Sequence, residues 1–159
     1  MQLLKRILTA VILIPIVLLL VLHAPVLVLA LVAALVALLA VQELLKLAEA
    51  YGISPFHWPT YIFVGLFFLF LAVNPGKNTP LLSTAIFAGS LGFVAAITPF
   101  VFLAIGMQRT ELRSAFPAAM TSAFAFFYVA LPLGFLVQIR EQLSGAFLLL
   151  YLLLLVWAG

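Results

Sequence analysis

Two side chains are missing altogether from this 159-residue chain: cysteine and aspartate. Without cysteine there is no disulfide and no thiolate metal site, and the redox compartment leaves no mark. Without aspartate the acids are Glu43, Glu49, Glu111 and Glu141, scattered singly. A divalent cation wants several hard carboxylate oxygens together, so this set suits metal chemistry poorly. Charge of either sign is scarce, at 7% of residues against 68% hydrophobic, and the net charge is only +3. With no long basic run, the electrostatic footprint of a nucleic-acid binder is absent. Short segments alternating apolar and polar residues are absent as well, which excludes a transmembrane β-barrel. There is no glycine-rich phosphate loop, no nucleophile elbow and no paired carboxylates, and Ser144-Gly145 alone carries no weight.

What the chain has instead is long apolar runs. Leu3–Leu22 and Val26–Leu45 are separated only by His23-Ala24-Pro25, and further runs follow. A hydrocarbon slab takes about 20 apolar helical residues to cross, and unpaired backbone groups are not tolerated there, so helices are required. The fold class predicted is all-α: a polytopic transmembrane bundle of about six spans. The first span covers about 7–22, with Lys5 and Arg6 at its start and a kink expected at Pro15. It is too long for a signal peptide and runs straight into a second span, so it reads as an uncleaved helix. The second span covers Val26 to about Leu45 and leaves through Gln42, Glu43, Lys46 and Glu49, with Glu43 and Lys46 expected to pair. A loop at Tyr51-Gly52-Ile53-Ser54-Pro55 precedes a third span that opens on the interfacial aromatics His57, Trp58 and Tyr61 and ends near Val73. The fourth runs from about Leu81 to Met107 with a bend expected at Pro99, the fifth from Ala115 to Val137, and the sixth from near Gly145.

Alternating sides put Lys5, Arg6, Lys46, Arg109 and Arg113 together, opposite Lys77 and Arg140. The positive-inside rule then places the N-terminus in the cytoplasm. The chain stops at Gly159 while still apolar, an ending that suggests truncation.

Few constellations carry chemistry. Arg109 and Arg113 share a helical face if their segment is helical, and are candidate contacts for a lipid phosphate, whose oxygens suit guanidinium forks. The plainer reading is a solvated loop obeying the positive-inside rule. Thr84, Ala88, Gly92 and Ala96 form a small-residue face on the fourth span, flanked by Ala85 and Gly89. It suits packing within the chain first and a homodimer second. Glu43 reads as an interfacial salt-bridge partner, and His23 and His57 as turn or interface residues rather than metal ligands. Phe63, Phe67, Phe68 and Phe70 read as lipid-facing or packing surface.

Several segments together resemble the N-terminal membrane half of the phosphatidate cytidylyltransferases (CDP-diacylglycerol synthases). They are the opening Leu4-Lys5-Arg6-Ile7-Leu8-Thr9-Ala10 with Val11-Ile12-Leu13-Ile14-Pro15, the second-helix exit Gln42-Glu43-Leu44-Leu45-Lys46-Leu47-Ala48, and the ending Leu150-Tyr151-Leu152-Leu153-Leu154-Leu155-Val156-Trp157-Ala158-Gly159. The resemblance implies a multi-pass inner-membrane enzyme that joins CTP to phosphatidate, giving CDP-diacylglycerol and pyrophosphate in phospholipid biosynthesis. Mg²⁺ is expected for the full-length enzyme, and membrane lipids, phosphatidate and CTP are the partners implied. In that family the acidic and polar residues for the transfer follow the Val-Trp helix. Residues 1–159 would then be the N-terminal membrane portion of a longer enzyme, with no catalytic, cofactor-binding or metal residue to carry over and no activity alone. Two other readings stand beside it: a relative of the CTP-dependent polyprenol or phytol kinases, and a complete, non-enzymatic multi-span accessory protein.

Overall fold

The computed structural model describes residues 14–15, 17–73, 80–108, 112–142 and 144–158. Among them every regular element is helical. Residues 17–23 are α1, followed by α2 (Val26–Ala50), α3 (His57–Val73), α4 (Pro80–Gly106) and α5 (Leu112–Ala125). A π-turn (Phe126–Ala130) leads on without a break into α6 (Leu131–Glu141), and α7 (Gly145–Ala158) follows. Two helices are long and apolar enough to cross a membrane, Val26–Ala50 and Arg113–Glu141, while His57–Val73, Leu91–Gly106 and Gly145–Val156 are shorter apolar helices. Pro15 stands at the edge of the described residues, and half of the expected first span lies outside them. Pro99 lies inside the unbroken α4, where Thr98 Oγ1 donates to the Val94 carbonyl at 2.6 Å.

The π-turn has a chemical cause. Pro132 has no N–H and its ring crowds the carbonyl one turn back, which costs a regular α-helix a hydrogen bond and strains it locally. Here the strain is absorbed by one wide turn, in which Leu131 N–H reaches the Phe126 carbonyl five residues back. The widening carries Phe126 into the centre of the bundle. It is fully buried, edge-on to Phe63 at 5.0 Å and to Phe67 at 5.2 Å between ring centroids. Such aromatic pairs contribute about 0.5–1.5 kcal/mol beyond the area they bury. Phe63, Phe67 and Phe68 are thus packing residues, whereas Phe70 is exposed.

α2 is the central rod, packed against α3, α5, the π-turn and α6, while α4 lies on α5 and α7 on α6. Its inner face is Ala30, Ala37, Val41 and Leu45. A second cluster sets Phe56 and Phe102 against Ala118, Ala119 and Ala123 of α5, and a third joins Val21, Leu29 and Leu149. Alanines fill the gaps between the buried Phe, Leu and Val side chains of this interior, and many further large apolar side chains face out. Leu27, Leu31, Leu35 and Leu39 make an exposed row along α2.

Where it is described, the small-residue face of α4 does not pack within the chain as expected. A Cβ built on Gly89 or Gly92 would meet nothing within 4 Å, and Ala96 is exposed. The side chains of Thr84, Ala85 and Ala88 lie outside the described set. The close approach is made instead at the α4–α5 turn, where a Cβ on Gly106 would sit 3.4 Å from the Ala115 carbonyl and 3.7 Å from the Ala119 methyl. A tighter one joins α6 to α3: a Cβ on Gly134 would sit 2.6 Å from the Phe67 ring and 3.3 Å from Leu71 Cδ1. Gly134→Ala is therefore expected to cost about 1–3 kcal/mol by forcing Phe67 off Phe126. Gly92→Ala, made into open space, should be neutral or gain up to about 1 kcal/mol of helix propensity. Thermal melts of both variants in detergent micelles check the contrast, which equal melting temperatures would refute.

Candidate functional site

The turns collect at two ends. At one end α2 stops where Gly52 adopts φ +80, a left-handed conformation that costs glycine nothing. Gly52 N–H donates to the Glu49 carbonyl at 2.9 Å and Ile53 N–H to the Ala48 carbonyl at 3.1 Å, a Schellman closure. The loop then turns inward. Phe56 N–H donates to the hydroxyl of fully buried Ser122 on α5 at 3.0 Å, and Thr60 Oγ1 donates back to the Phe56 carbonyl. These bonds hold His57 at the start of α3, over the last turn of α2.

Glu49 is what His57 meets there. Its Oε1 lies 2.8 Å from His57 Nε2, and Tyr61 Oη lies 3.4 Å from Nδ1. With Nε2–H donating to the carboxylate, Nδ1 is left to accept from the phenol. The result is a carboxylate–imidazole–phenol chain, with 49% of Glu49 and 31% of His57 side-chain surface open to surroundings. Exposed pairs of this kind contribute little, so a double-mutant cycle on Glu49→Gln and His57→Ala should return a coupling of about 0.2–1 kcal/mol. Unfolding of the four proteins in detergent measures it, and a coupling several times larger would mean that the chain is sequestered from solvent.

The sequence expected Glu43 and Lys46 to pair. Both are exposed, and among the described residues the ion pair at this end is Glu49–His57. Glu49 gains the partner because the Schellman turn folds α3 back onto its helical face, whereas two flexible exposed chains lose more entropy than they gain by meeting. Arg113 is exposed in the first turn of α5, and Arg109 lies outside the described residues, so the two are not brought together here. His23 is exposed in the α1–α2 turn at the other end.

At that other end sequence reasoning missed the main feature. Arg140, the penultimate residue of α6, reaches across to the α1–α2 turn. Its Nε donates to the Val21 carbonyl at 3.0 Å and its Nη2 to the Ala24 carbonyl at 3.3 Å. A guanidinium on carbonyls left open at a helix end satisfies acceptors that have no intrahelical donor. The long separation along the chain left no local signal of it. Nearby on α6, Gln138 is 9% exposed and its Nε2 is buried without a partner among the described residues.

The chemistry these groups offer is limited. Among the described residues no three His or Glu side chains converge as a metal site. The best acidic group, Glu49, spends an oxygen on His57. An octahedral Mg²⁺ shell does not fit that set. The described polar residues fasten helix ends and offer one exchangeable proton chain.

No curated protein and no solved structure matches the chain. A family model does, described as the cytidylyltransferase family and matched over residues 4–159. That span takes in all seven helices among the described residues and both polar ends, so this chain belongs to the cytidylyltransferase family.

Proposed function

We propose that this chain forms membrane-spanning structure of a phosphatidate cytidylyltransferase, an enzyme of phospholipid biosynthesis in the inner membrane. The family match over 4–159 is the observation that carries the reading. In the reaction a phosphatidate oxygen attacks the α-phosphorus of CTP, the bond to the β-phosphate breaks, and pyrophosphate leaves with the electron pair. The lipid product is CDP-diacylglycerol. Mg²⁺ would neutralise the crowded phosphates, held by residues other than those described above.

The packing supports a lipid surround. Water gives no reason to expose rows of leucine while burying alanine and glycine, and contiguous apolar patches of that length are foreign to soluble monomers. Between transmembrane helices small residues permit close approach, and large ones face acyl chains at no cost. Alternating spans are also consistent with the two ends. Arg140 ties the α6–α7 end to the α1–α2 turn, while Phe56 and Ser122 tie the α2–α3 loop to α5. The positive-inside count, not these contacts, puts the N-terminus on the cytoplasmic side, from which CTP arrives.

Labelled nucleotide tests the reaction and its runner-up together. Membranes overexpressing the gene, given phosphatidate, Mg²⁺ and α-³²P CTP, should move label into a lipid that co-migrates with CDP-diacylglycerol. γ-³²P CTP should label pyrophosphate alone. Transfer of the γ-label to a polyprenol or phytol would identify a lipid kinase instead. Transfer of neither label would remove the enzyme reading and favour an accessory protein. The purified 159-residue chain is expected to give no product, so turnover by it would place the reacting groups within it.

A further inference from the structure

We infer that the α4–α5 hairpin is a hinged arm. It swings about the π-turn and Pro99, and the hydrogen bond from the Phe56 amide to the Ser122 hydroxyl latches it against the rest of the bundle.

Both legs of the hairpin carry a weak joint. In α5 it is the π-turn at its end. Leu131 gives its N–H to the Phe126 carbonyl, and the next amide belongs to Pro132, which has no hydrogen to give. The Phe127 carbonyl thus loses its four-residue and its five-residue donor together. In α4 the joint is Pro99, which removes the bond to the Ala95 carbonyl. Beside it Thr98 Oγ1 donates back to the Val94 carbonyl, a bond that bends helices. Sharp kinks fall at such places, where the ladder of bonds is already broken.

The joints also divide the packing. On one side of them Leu91 and Val94 of α4, with Phe126 and Ala130, belong to the central cluster. On the other side the arm is held by a separate cluster, in which Phe102 of α4 and Ala118, Ala119 and Ala123 of α5 close around Phe56 from the α2–α3 loop. Gly106 brings the two legs together through Ala115 and Ala119, so they travel as one body. The buried face of α5 here is alanine and Ser122, with no large side chain to interlock with α2 or α3. Phe56 is therefore the wedge. Its amide donates to Ser122 at 3.0 Å, and Phe63 adds an edge contact to Phe102 at 5.8 Å. Phe100, Met107 and Phe116 of the arm are exposed, and lie on the side toward which it opens. Opening would uncover the hydroxyls of Thr60 and Ser122, both fully buried when the latch is shut.

The size of the motion follows from the lever. Phe116 lies about 18 Å along the helix from the middle of the π-turn, so a kink of about 20° carries it about 6 Å.

The lack of cysteine makes the test clean. Spin labels on Tyr51→Cys and Phe116→Cys, exposed sites on the loop and on the arm, report the swing by electron–electron distance measurement in liposomes. The expected result is a main distance and a second one about 6 Å longer. Ser122→Ala leaves the Phe56 amide without its acceptor in the shut form, and should raise the ratio of long to short about two- to tenfold, the effect of one ordinary hydrogen bond. Pro132→Ala returns an N–H to the π-turn, stiffens the joint, and should remove the longer distance. Labels on Leu47→Cys and Leu66→Cys, both outside the arm, should keep one distance in all three backgrounds. One unchanging distance for the Tyr51–Phe116 pair in wild type and Ser122→Ala would overturn the inference. So would a longer component that survives Pro132→Ala. If the Leu47–Leu66 pair broadened along with the arm pair, the whole bundle would be loosening and the hinge would be refuted.

Discussion

Gly145→Ala is expected to open the α6–α7 turn and to remove about 3 kcal/mol or more of stability, near the top of the range for single substitutions. Gly145 begins α7 directly beneath the end of α6. A Cβ there would run into the carbonyl oxygens of Ile139 and Arg140, which are backbone and cannot swing aside. The turn is tight because Gln142 leaves α6 in an extended conformation (ψ 158), and Gly145 N–H then donates back to the Gln142 carbonyl at 2.8 Å. An added methyl would have to push α7 outward as a body. Leu149 would then withdraw from Val21 and Leu29, so one carbon near the turn would empty a cluster more than a helical turn away. Leu149→Ala provides the scale, since it empties the same cluster without touching the turn and should cost about 2–5 kcal/mol. Melting curves in detergent micelles compare the two. A Gly145→Ala protein that melts with the wild type would show that the turn relaxes freely.

This glycine also marks the limit of what the sequence could disclose. Helix extents were readable because apolar runs and breakers are local: α3 ends at Val73, where the run ended, and α4 spans Pro80–Gly106 against an expected Leu81–Met107. Pro132 falls within the expected fifth span, but whether a helix answers a proline with a kink or a π-turn depends on what must be buried. Phe126 supplies that answer only once Phe63 and Phe67 are beside it. Likewise Gly92 and Gly134 look alike in sequence, and only packing shows that Gly92 faces open space while Gly134 holds the ring of Phe67. The small-residue signal was real but better developed elsewhere, in Ala115, Ala118, Ala119, Ser122 and Ala123, which sit on α5 at the spacing of one helical face. The polar site was the least legible part. Glu49 meets His57 across a loop, and Arg140 meets Val21 and Ala24 from the far end of the chain. Such pairings follow from tertiary closure, which leaves no periodicity to read.

Arg140→Ala should release α1 from the bundle, at a cost of about 2–4 kcal/mol, because hydrogen bonds from a charged donor are worth about 1.5–3 kcal/mol and the abandoned acceptors lose their only guanidinium. The carbonyls of Val21 and Ala24 close α1 and open the turn into α2, and a carbonyl there without a donor must find water or stay unpaired. Arg140→Lys discriminates between charge and geometry. An ammonium keeps the charge but is a single point on a flexible stem, and cannot span two acceptors with the guanidinium's fixed fork. It should recover less than half of the loss. Limited proteolysis of the protein in micelles reads the release directly, as faster cutting near His23-Ala24-Pro25 in Arg140→Ala and an intermediate rate in Arg140→Lys. Equal rates for wild type and Arg140→Ala would show that Val17, Leu20 and Val21 hold α1 by apolar packing alone. If the lysine variant matched wild type, the site would need only a positive charge. The two hydrogen bonds, rather than the charge, would then have to be dropped as the reason α1 stays docked.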